Sequence, residues 1–112
     1  MEEEISCKPY VVSRKFNESR ESIYEYSLDT FGYFQAERYR EKIKNALNTL
    51  SNYYTYYPEC RHLATKSRMY RNIILNAHLI VYRITDQRIE VLDMIHGASS
   101  IRKIRDIRKI RL

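Results

Sequence analysis

The sequence predicts an α+β domain in which an N-terminal strand and a two-helix antiparallel hairpin precede a three-stranded antiparallel meander. Apolar residues recur at steps of three and four in the first half of the chain, which is typical of amphipathic helices. The second half contains β-branched runs separated by short polar sequences that suit tight turns. We expect the helices to pack on one face of the sheet, with a basic C-terminal tail following it.

The length and composition indicate one globular domain. The chain has 112 residues, of which 44% are hydrophobic and 30% are charged, a balance that excludes an intrinsically disordered protein. No apolar run approaches the roughly 18 residues that a membrane span requires. The acidic start Met1-Glu2-Glu3-Glu4 lacks the basic flank of a secretory signal. We therefore expect a cytoplasmic protein without membrane contact.

The cysteines do not indicate a metal centre or a disulfide framework. Cys7 and Cys60 lie far apart in the chain, with no Cys-x-x-Cys spacing and no matching histidine cluster. The sequence therefore predicts two reduced thiols, no metal site and no organic cofactor.

The first half of the chain contains one short strand and two helices. Tyr10 to Val12 is β-prone, and Ser13 is a suitable N-cap for a helix from Arg14 to about Phe31. Gly32 is a natural stop for that helix, because glycine adopts positive φ without steric cost. A second helix is predicted from about Tyr33 to Tyr53, and the short connection makes the two helices antiparallel neighbours.

Strands dominate after Pro58, which ends the helical region. Glu59 to Arg68 shows no sustained period and is predicted to be a loop. The β-branched runs after it are separated by Asn76-Ala77 and by Thr85-Asp86-Gln87, which favour tight turns. The three predicted strands are Ile73–Leu75, Leu79–Ile84 and Ile89–Ile95.

These turns also predict the register of the strands. If Asn76-Ala77 is a two-residue turn, Arg71 lies opposite Tyr82; if Asp86-Gln87 is another, Arg83 lies opposite Glu90. The run from His78 to Ile84 is apolar on both alternating faces, so both faces of that strand must be covered. The helices cover one face, and either the C-terminal tail or a partner protein covers the other.

The tail, residues 101–112, is strongly basic. Its six cations minus Asp106 contribute +5 of the net charge of +6, so the domain of residues 1–100 is close to neutral. Isoleucine recurs at every third position from Ile101 to Ile110, and this spacing spreads the apolar residues around an α-helix. Such a segment would order best against another surface, either the chain's own sheet or a partner.

Short motifs follow one another in a fixed order along the chain. They are Tyr24-Glu25-Tyr26, Phe31-Gly32, Gln35-Ala36-Glu37-Arg38-Tyr39, Tyr57-Pro58, Tyr70-Arg71-Asn72-Ile73, Leu79-Ile80-Val81-Tyr82-Arg83-Ile84, Ile89-Glu90-Val91-Leu92 and Ile95-His96-Gly97-Ala98. This ordered set resembles the RelE/ParE superfamily of toxins from type II toxin-antitoxin systems, and fits its ParE side best. The resemblance covers roughly residues 8 to 100, although Ser99-Ser100 stands where the family usually has a charged pair.

The resemblance implies a protein that arrests growth when free and is neutralised by a cognate antitoxin encoded beside it. ParE-like members poison DNA gyrase and have no known chemical step, whereas RelE-like members cut messenger RNA on the ribosome. Gyrase is therefore the first candidate target and the ribosome the second. Whether the protein forms a homodimer or a toxin-antitoxin hetero-oligomer stays open.

The candidate site residues follow from these two mechanisms. RNA cleavage needs a proton acceptor, a cation for the phosphorane and an acid for the leaving oxygen, and Arg71 and His96 are the candidate catalytic residues for it. A third hypothesis is a nucleic-acid-binding protein that uses the basic tail. His78 is predicted only to begin a strand. The candidate residues for binding a target or a nucleic acid are Arg61, Lys66, Arg71, Arg83, Arg102, Lys103, Arg105 and Arg108.

Overall fold

A computed structural model describes residues 7–112, so the acidic start of the chain lies outside the described residues. The elements are β1 (Tyr10–Val12), α1 (Arg14–Phe31), α2 (Tyr33–Tyr53), β2 (Tyr70–Leu75), β3 (His78–Ile84), β4 (Ile89–His96), α3 (Ile101–Asp106) and a 3₁₀ turn (Ile107–Lys109). The predicted α+β fold is confirmed: strand β4 pairs in parallel with β1 and antiparallel with β3, and β3 pairs antiparallel with β2. None of the helices in residues 7–112 is long and apolar enough to cross a bilayer.

The ends of α1 are set by the two residues that the sequence indicated. The Ser13 hydroxyl accepts a hydrogen bond from the Phe16 amide at 2.9 Å, which satisfies one of the unpaired amides of the first turn. At the other end Gly32 has a φ of +90°, a conformation that L side chains rarely adopt. Its amide donates to the Leu28 carbonyl at 3.1 Å, and α2 begins at the next residue.

The sheet separates two hydrophobic cores. The helix-side core lies between the sheet and the α1–α2 hairpin, and the tail-side core lies between the sheet and the C-terminal segment. Buried residues of the helix-side core include Phe16, Ile43, Leu47, Leu50, Ile73, Ile80, Tyr82, Ile89, Val91 and Met94. Buried residues of the tail-side core include Cys60, Leu63, Tyr70, Val81, Leu92, Ile95, Ile104 and Ile107.

The chain's own C-terminal segment covers the second face of the sheet. Ile104 and Ile107 are only 5% and 3% exposed, and Ile110 packs beside them, whereas Ile101 is 48% exposed. A 3₁₀ turn has three residues per turn, so residues three apart point the same way there. The isoleucine spacing of three therefore fits a segment that changes from α-helix to 3₁₀ turn and packs its isoleucines against the chain's own sheet.

Both register predictions are confirmed. Arg71 pairs with Tyr82 across β2 and β3, and Arg83 pairs with Glu90 across β3 and β4. Strand β2 begins at Tyr70, three residues earlier than the predicted start at Ile73, because its pairing with β3 continues to Tyr70, which lies opposite Arg83.

A β-bulge in β4 was not predicted. The pairing of β3 with β4 shifts by one residue between Val81 and Tyr82, which leaves Leu92 as the extra residue of β4. The carbonyl of Leu92 instead accepts a hydrogen bond from the Ser13 hydroxyl at 2.5 Å. Because of this shift, His78 lies opposite His96, whereas an unbroken register would place it opposite Ile95.

Next to the bulge, Asp93 is a buried carboxylate with local hydrogen bonds. It is 3% exposed, and one of its oxygens accepts from the Ser19 hydroxyl at 2.6 Å and from the Met94 amide at 2.8 Å. Burial raises the pKa of this carboxyl, since the charged form loses solvation. The ionised side chain therefore opposes folding at neutral pH.

We expect Asp93→Asn to increase the free energy of unfolding at pH 7. The amide oxygen keeps both hydrogen bonds, and the buried charge is removed. A raised pKa in the folded state means that the wild type gains stability as pH falls through that pKa, so the advantage of the variant should disappear in acid. Urea unfolding between pH 4 and pH 8 measures this difference, with the exposed Asp29→Asn as the surface control. An asparagine variant that is less stable at every pH would contradict it.

Candidate functional site

The basic segment, residues 101–112, forms a cationic surface on the tail side of the sheet. The Ser100 hydroxyl caps α3 by accepting from the Lys103 amide at 3.1 Å. Asp106 pairs with Lys109 at 3.2 Å and is the one acidic side chain of the segment. All six cations are exposed: Arg102, Lys103, Arg105, Arg108, Lys109 and Arg111.

Arg83 holds this segment from inside the protein. Its guanidinium lies 2.7 Å from a carboxylate oxygen of Glu90, and both side chains are nearly buried. It also donates to the backbone carbonyl of Ile110 at 3.0 Å and to that of Arg108 at 3.4 Å. Burial by itself would raise the pKa of Glu90, but the hydrogen bonds from Arg83 and Arg88 outweigh it and lower that pKa. Arg83 therefore connects the sheet to the basic segment and is not exposed to a target.

Arg71 is half-buried and also binds backbone carbonyls of the chain. Its guanidinium donates to the carbonyl of Thr55 and to that of Tyr57, both at 2.9 Å, and to that of Arg68 at 3.2 Å. These bonds connect the loop after α2 to the start of β2. Arg71 lies four residues before Leu75, the β2 residue that pairs with His78. Because a strand rises about 3.3 Å per residue, Arg71 lies about 13 Å along the sheet from the end where His78 pairs with His96. The structure does not bring the two candidate catalytic residues together.

The two cations predicted in the loop after Pro58 are exposed. Cys60 and Leu63 are buried in the tail-side core, so Arg61 between them lies on the same side of the sheet as the basic segment. Lys66 is exposed further along the loop. The neighbouring His62 adopts a φ of +73°.

A second candidate site, the hairpin cleft, lies between the α1–α2 hairpin and the end of the sheet where the β2–β3 turn, the first residue of β3 and the last residue of β4 meet. It has a volume of about 760 Å³. Among the described residues that line it, none is acidic, whereas two are permanent cations and two are histidines. The lining residues are Ser22, Ile23, Tyr26, Ser27, Phe31, Gln35, Arg38, Tyr39, Lys42, Asn76, Ala77, His78 and His96.

The two histidines are held in place by different partners. The hydroxyl of Tyr39 lies 2.8 Å from Nδ1 of His78 and 3.0 Å from the carbonyl of Leu75. Nδ1 of His96 accepts from the Ala98 amide at 3.0 Å, and the two imidazole centroids are 5.7 Å apart. Burial and the nearby His96 lower the pKa of His78, and burial raises the pKa of Tyr39 to about 12. His78 is therefore neutral at pH 7.

Sequence reasoning missed the hairpin cleft and the place of His78 in it. Part of the signal was present, because Arg38 and Lys42 are four residues apart and so share one face of α2. The position of His78 depends on Tyr39, far away in the sequence, and on the bulge that aligns His78 with His96. No local pattern indicates either feature.

Comparisons with known proteins agree with this fold. A structure described as "Chromosomal ParDE TA system from P. aeruginosa" superposes with a TM-score of 0.67 at 14% identity, covering 81% of this chain and 97% of that chain. No curated protein matches the sequence. The likeness establishes an α+β fold shared with a component of a toxin-antitoxin system.

The family comparison extends this result to the protein's class. Residues 10–101 match the family described as "ParE toxin of type II toxin-antitoxin system, parDE". The chain belongs to the ParE toxin family.

Proposed function

We propose that this protein arrests growth by binding DNA gyrase and that a cognate antitoxin neutralises it. Membership of the ParE toxin family carries the proposal, with residues 10–101 spanning nearly the whole described fold. The family resemblance noted in the sequence implies both the target and the antitoxin.

The basic segment is the proposed contact with the target. Six exposed cations within residues 101–112 give a strongly positive surface that attracts an acidic partner. Because Ile104 and Ile107 are buried and Arg83 binds two carbonyls of the segment, the cations are presented on an ordered backbone. An ordered surface loses less conformational entropy on binding than a flexible tail.

The geometry does not favour the ribonuclease alternative. The guanidinium of Arg71 is engaged by three backbone carbonyls, and the side chain lies at the opposite end of the sheet from His96. General acid–base catalysis requires both groups within hydrogen-bond reach of one substrate. The nucleic-acid-binding alternative shares the basic segment with the proposed function, so an experiment must separate the two.

A supercoiling assay with purified gyrase tests the proposal. We expect the protein to inhibit gyrase and Arg105→Glu/Arg108→Glu to weaken that inhibition by at least about tenfold, because two surface cations are reversed. Arg14→Glu/Lys44→Glu reverses two exposed cations of the helices and should keep full inhibition.

Binding of the same plasmid DNA without gyrase is measured in parallel. Tight, salt-sensitive DNA binding with no effect on gyrase would support the nucleic-acid-binding alternative and overturn the proposed target. Equal loss of inhibition in both charge-reversal variants would overturn the assignment of the contact to the basic segment.

A further inference from the structure

We infer that the hairpin cleft is the docking site for an acidic amphipathic helix of the antitoxin, and that docking takes up a proton at His78. The inference rests on the proposed neutralisation by an antitoxin. Beyond that proposal, it names the surface of the toxin that the antitoxin contacts, the chemistry of the antitoxin segment and the effect of pH on the affinity of the complex.

The floor of the cleft is apolar and partly exposed. Tyr26 and Phe31 at the end of the hairpin are 64% and 55% exposed, and their rings meet edge to face with centroids 6.4 Å apart. Ile23 and Tyr39 extend this surface towards the sheet and are partly buried. Clustered exposed aromatic side chains beside a cleft are typical of binding surfaces. The apolar face of a short helix matches this floor.

The two cations at the rim of the cleft favour a negatively charged partner. Arg38 and Lys42 lie one turn apart on α2, about 6 Å along the helix axis. Neither forms an ion pair within residues 7–112, and the cleft lining contains no carboxylate that could neutralise them. A partner helix with two carboxylates four residues apart has the spacing to pair with both cations.

A second groove, on the other side of α2, contains carboxylates as well as cations. Arg40 lies in that groove and pairs with Glu37 at 2.8 Å, and Glu37 also accepts a hydrogen bond from Tyr24. Glu21, Glu25 and Glu41 line the same groove beside Arg20 and Lys44. That groove has four carboxylates against three cations, so its lining carries no excess of positive charge, in contrast to the lining of the hairpin cleft.

The hydrogen bonds of Tyr39 determine the protonation of His78. The Tyr39 hydroxyl has one proton, so both of its contacts are satisfied together only when it donates to the Leu75 carbonyl and the Nδ1–H of His78 donates to the Tyr39 oxygen. Nε2 of His78 then carries the lone pair. His96 uses its Nδ1 to accept from Ala98, so its Nε2 carries the proton when the ring is neutral.

The free Nε2 of His78 can therefore take up a proton, whereas Nδ1 of His96 is occupied by the Ala98 amide. The groups that face His78 are Tyr39, Arg38 and Lys42 of α2, Tyr26 of α1 and His96 of β4. None of these is an anion at neutral pH, so protonation of His78 is disfavoured while the cleft is empty. A docked carboxylate stabilises the imidazolium form. Binding and proton uptake are then linked, and affinity rises as pH falls.

The test measures binding of the purified antitoxin encoded beside the toxin gene to the full-length toxin. We expect Arg38→Glu/Lys42→Glu to weaken binding by at least about 100-fold, since two ion pairs become repulsive. Arg40→Glu/Lys44→Glu has the same spacing on the same helix but faces the second groove, and it should stay within about threefold of the wild type. Calorimetry in two buffers of different ionisation enthalpy should show proton uptake at pH 7, reduced in His78→Phe.

The outcomes separate this inference from the proposed function. Wild-type affinity in Arg38→Glu/Lys42→Glu, or equal weakening in the control pair, would overturn the docking site while leaving neutralisation in place. Proton uptake that is unchanged in His78→Phe would overturn the pH linkage. Failure of the wild-type toxin to bind its antitoxin at all would overturn the proposed neutralisation itself. In cells, the cleft variant should still arrest growth and should no longer be rescued by the antitoxin.

Discussion

Arg83→Ala should lower the free energy of unfolding by about 3–5 kcal/mol, the usual cost of removing one partner of a buried ion pair. The substitution leaves the Glu90 carboxylate nearly buried without its main partner. It also removes the hydrogen bonds to the carbonyls of Arg108 and Ile110, so the basic segment should detach from the sheet. Chemical denaturation measures the first effect, and amide hydrogen exchange of residues 101–112 measures the second.

Arg88→Ala is the matched control. Arg88 contacts the other carboxylate oxygen of Glu90 at 2.9 Å, but its side chain is 40% exposed. Because the Arg88 guanidinium is partly solvated and Glu90 keeps its bond to the buried Arg83, this variant should lose clearly less stability than Arg83→Ala. Similar losses in the two variants would contradict the view that Arg83 links the sheet to the segment.

Deletion of residues 101–112 should abolish cooperative unfolding. The deletion removes Ile104 and Ile107 from the tail-side core and exposes Val81, Leu92 and Ile95 of the sheet. Truncating one buried isoleucine costs about 2–5 kcal/mol, so losing both removes at least about 4 kcal/mol from a domain whose stability is typically about 5–15 kcal/mol. Near-ultraviolet circular dichroism and binding of a hydrophobic dye measure this loss of packing.

The full-length Arg102→Gln/Arg105→Gln variant provides the control for the deletion, because it removes charge and keeps both isoleucines. It should unfold at nearly the wild-type denaturant concentration. If the truncated chain unfolds with the same midpoint as the intact protein, the basic segment does not contribute to the core. A loss of function caused by truncation would then reflect lost contacts and not unfolding.

The parts of the fold that depend on local sequence were predictable. Ser13 and Gly32 have the chemistry of a helix cap and a helix stop, and they bound α1 as expected. The turn at Asn76-Ala77 fixed the pairing of Arg71 with Tyr82, because register follows from turn length. Asn76 takes a φ of +52°, which asparagine tolerates better than most residues.

The parts that depend on distant contacts were not predictable. The bulge at Leu92 reflects the approach of Ser13 to β4, and only this bulge places His78 opposite His96. The hairpin cleft therefore could not be assembled from strand patterns. The conformation of the basic segment could not be predicted either. Its isoleucine spacing fits a 3₁₀ turn as well as a tail that binds a partner. Only the packing of Ile104 and Ile107 against the sheet distinguishes the two.

The chemistry of single residues was also hard to assign from sequence. Arg71 and Arg83 were candidate residues for binding a target or a nucleic acid, yet both direct their guanidinium groups to backbone carbonyls of the chain. An arginine that binds a target and one that satisfies carbonyls have the same sequence signature. The exposed cations of the basic segment and the unpaired Arg38 and Lys42 carry the charge that a partner can reach.

Induced expression in growing cells tests the central claim most directly, with plasmid supercoiling and protein synthesis followed separately in the first minutes. The account predicts growth arrest with loss of supercoiling while translation continues, and relief of both when the antitoxin is co-expressed. Early loss of translation with supercoiling intact would contradict gyrase as the target and identify the ribosome in its place. Normal growth on expression of folded protein would contradict its action as a toxin.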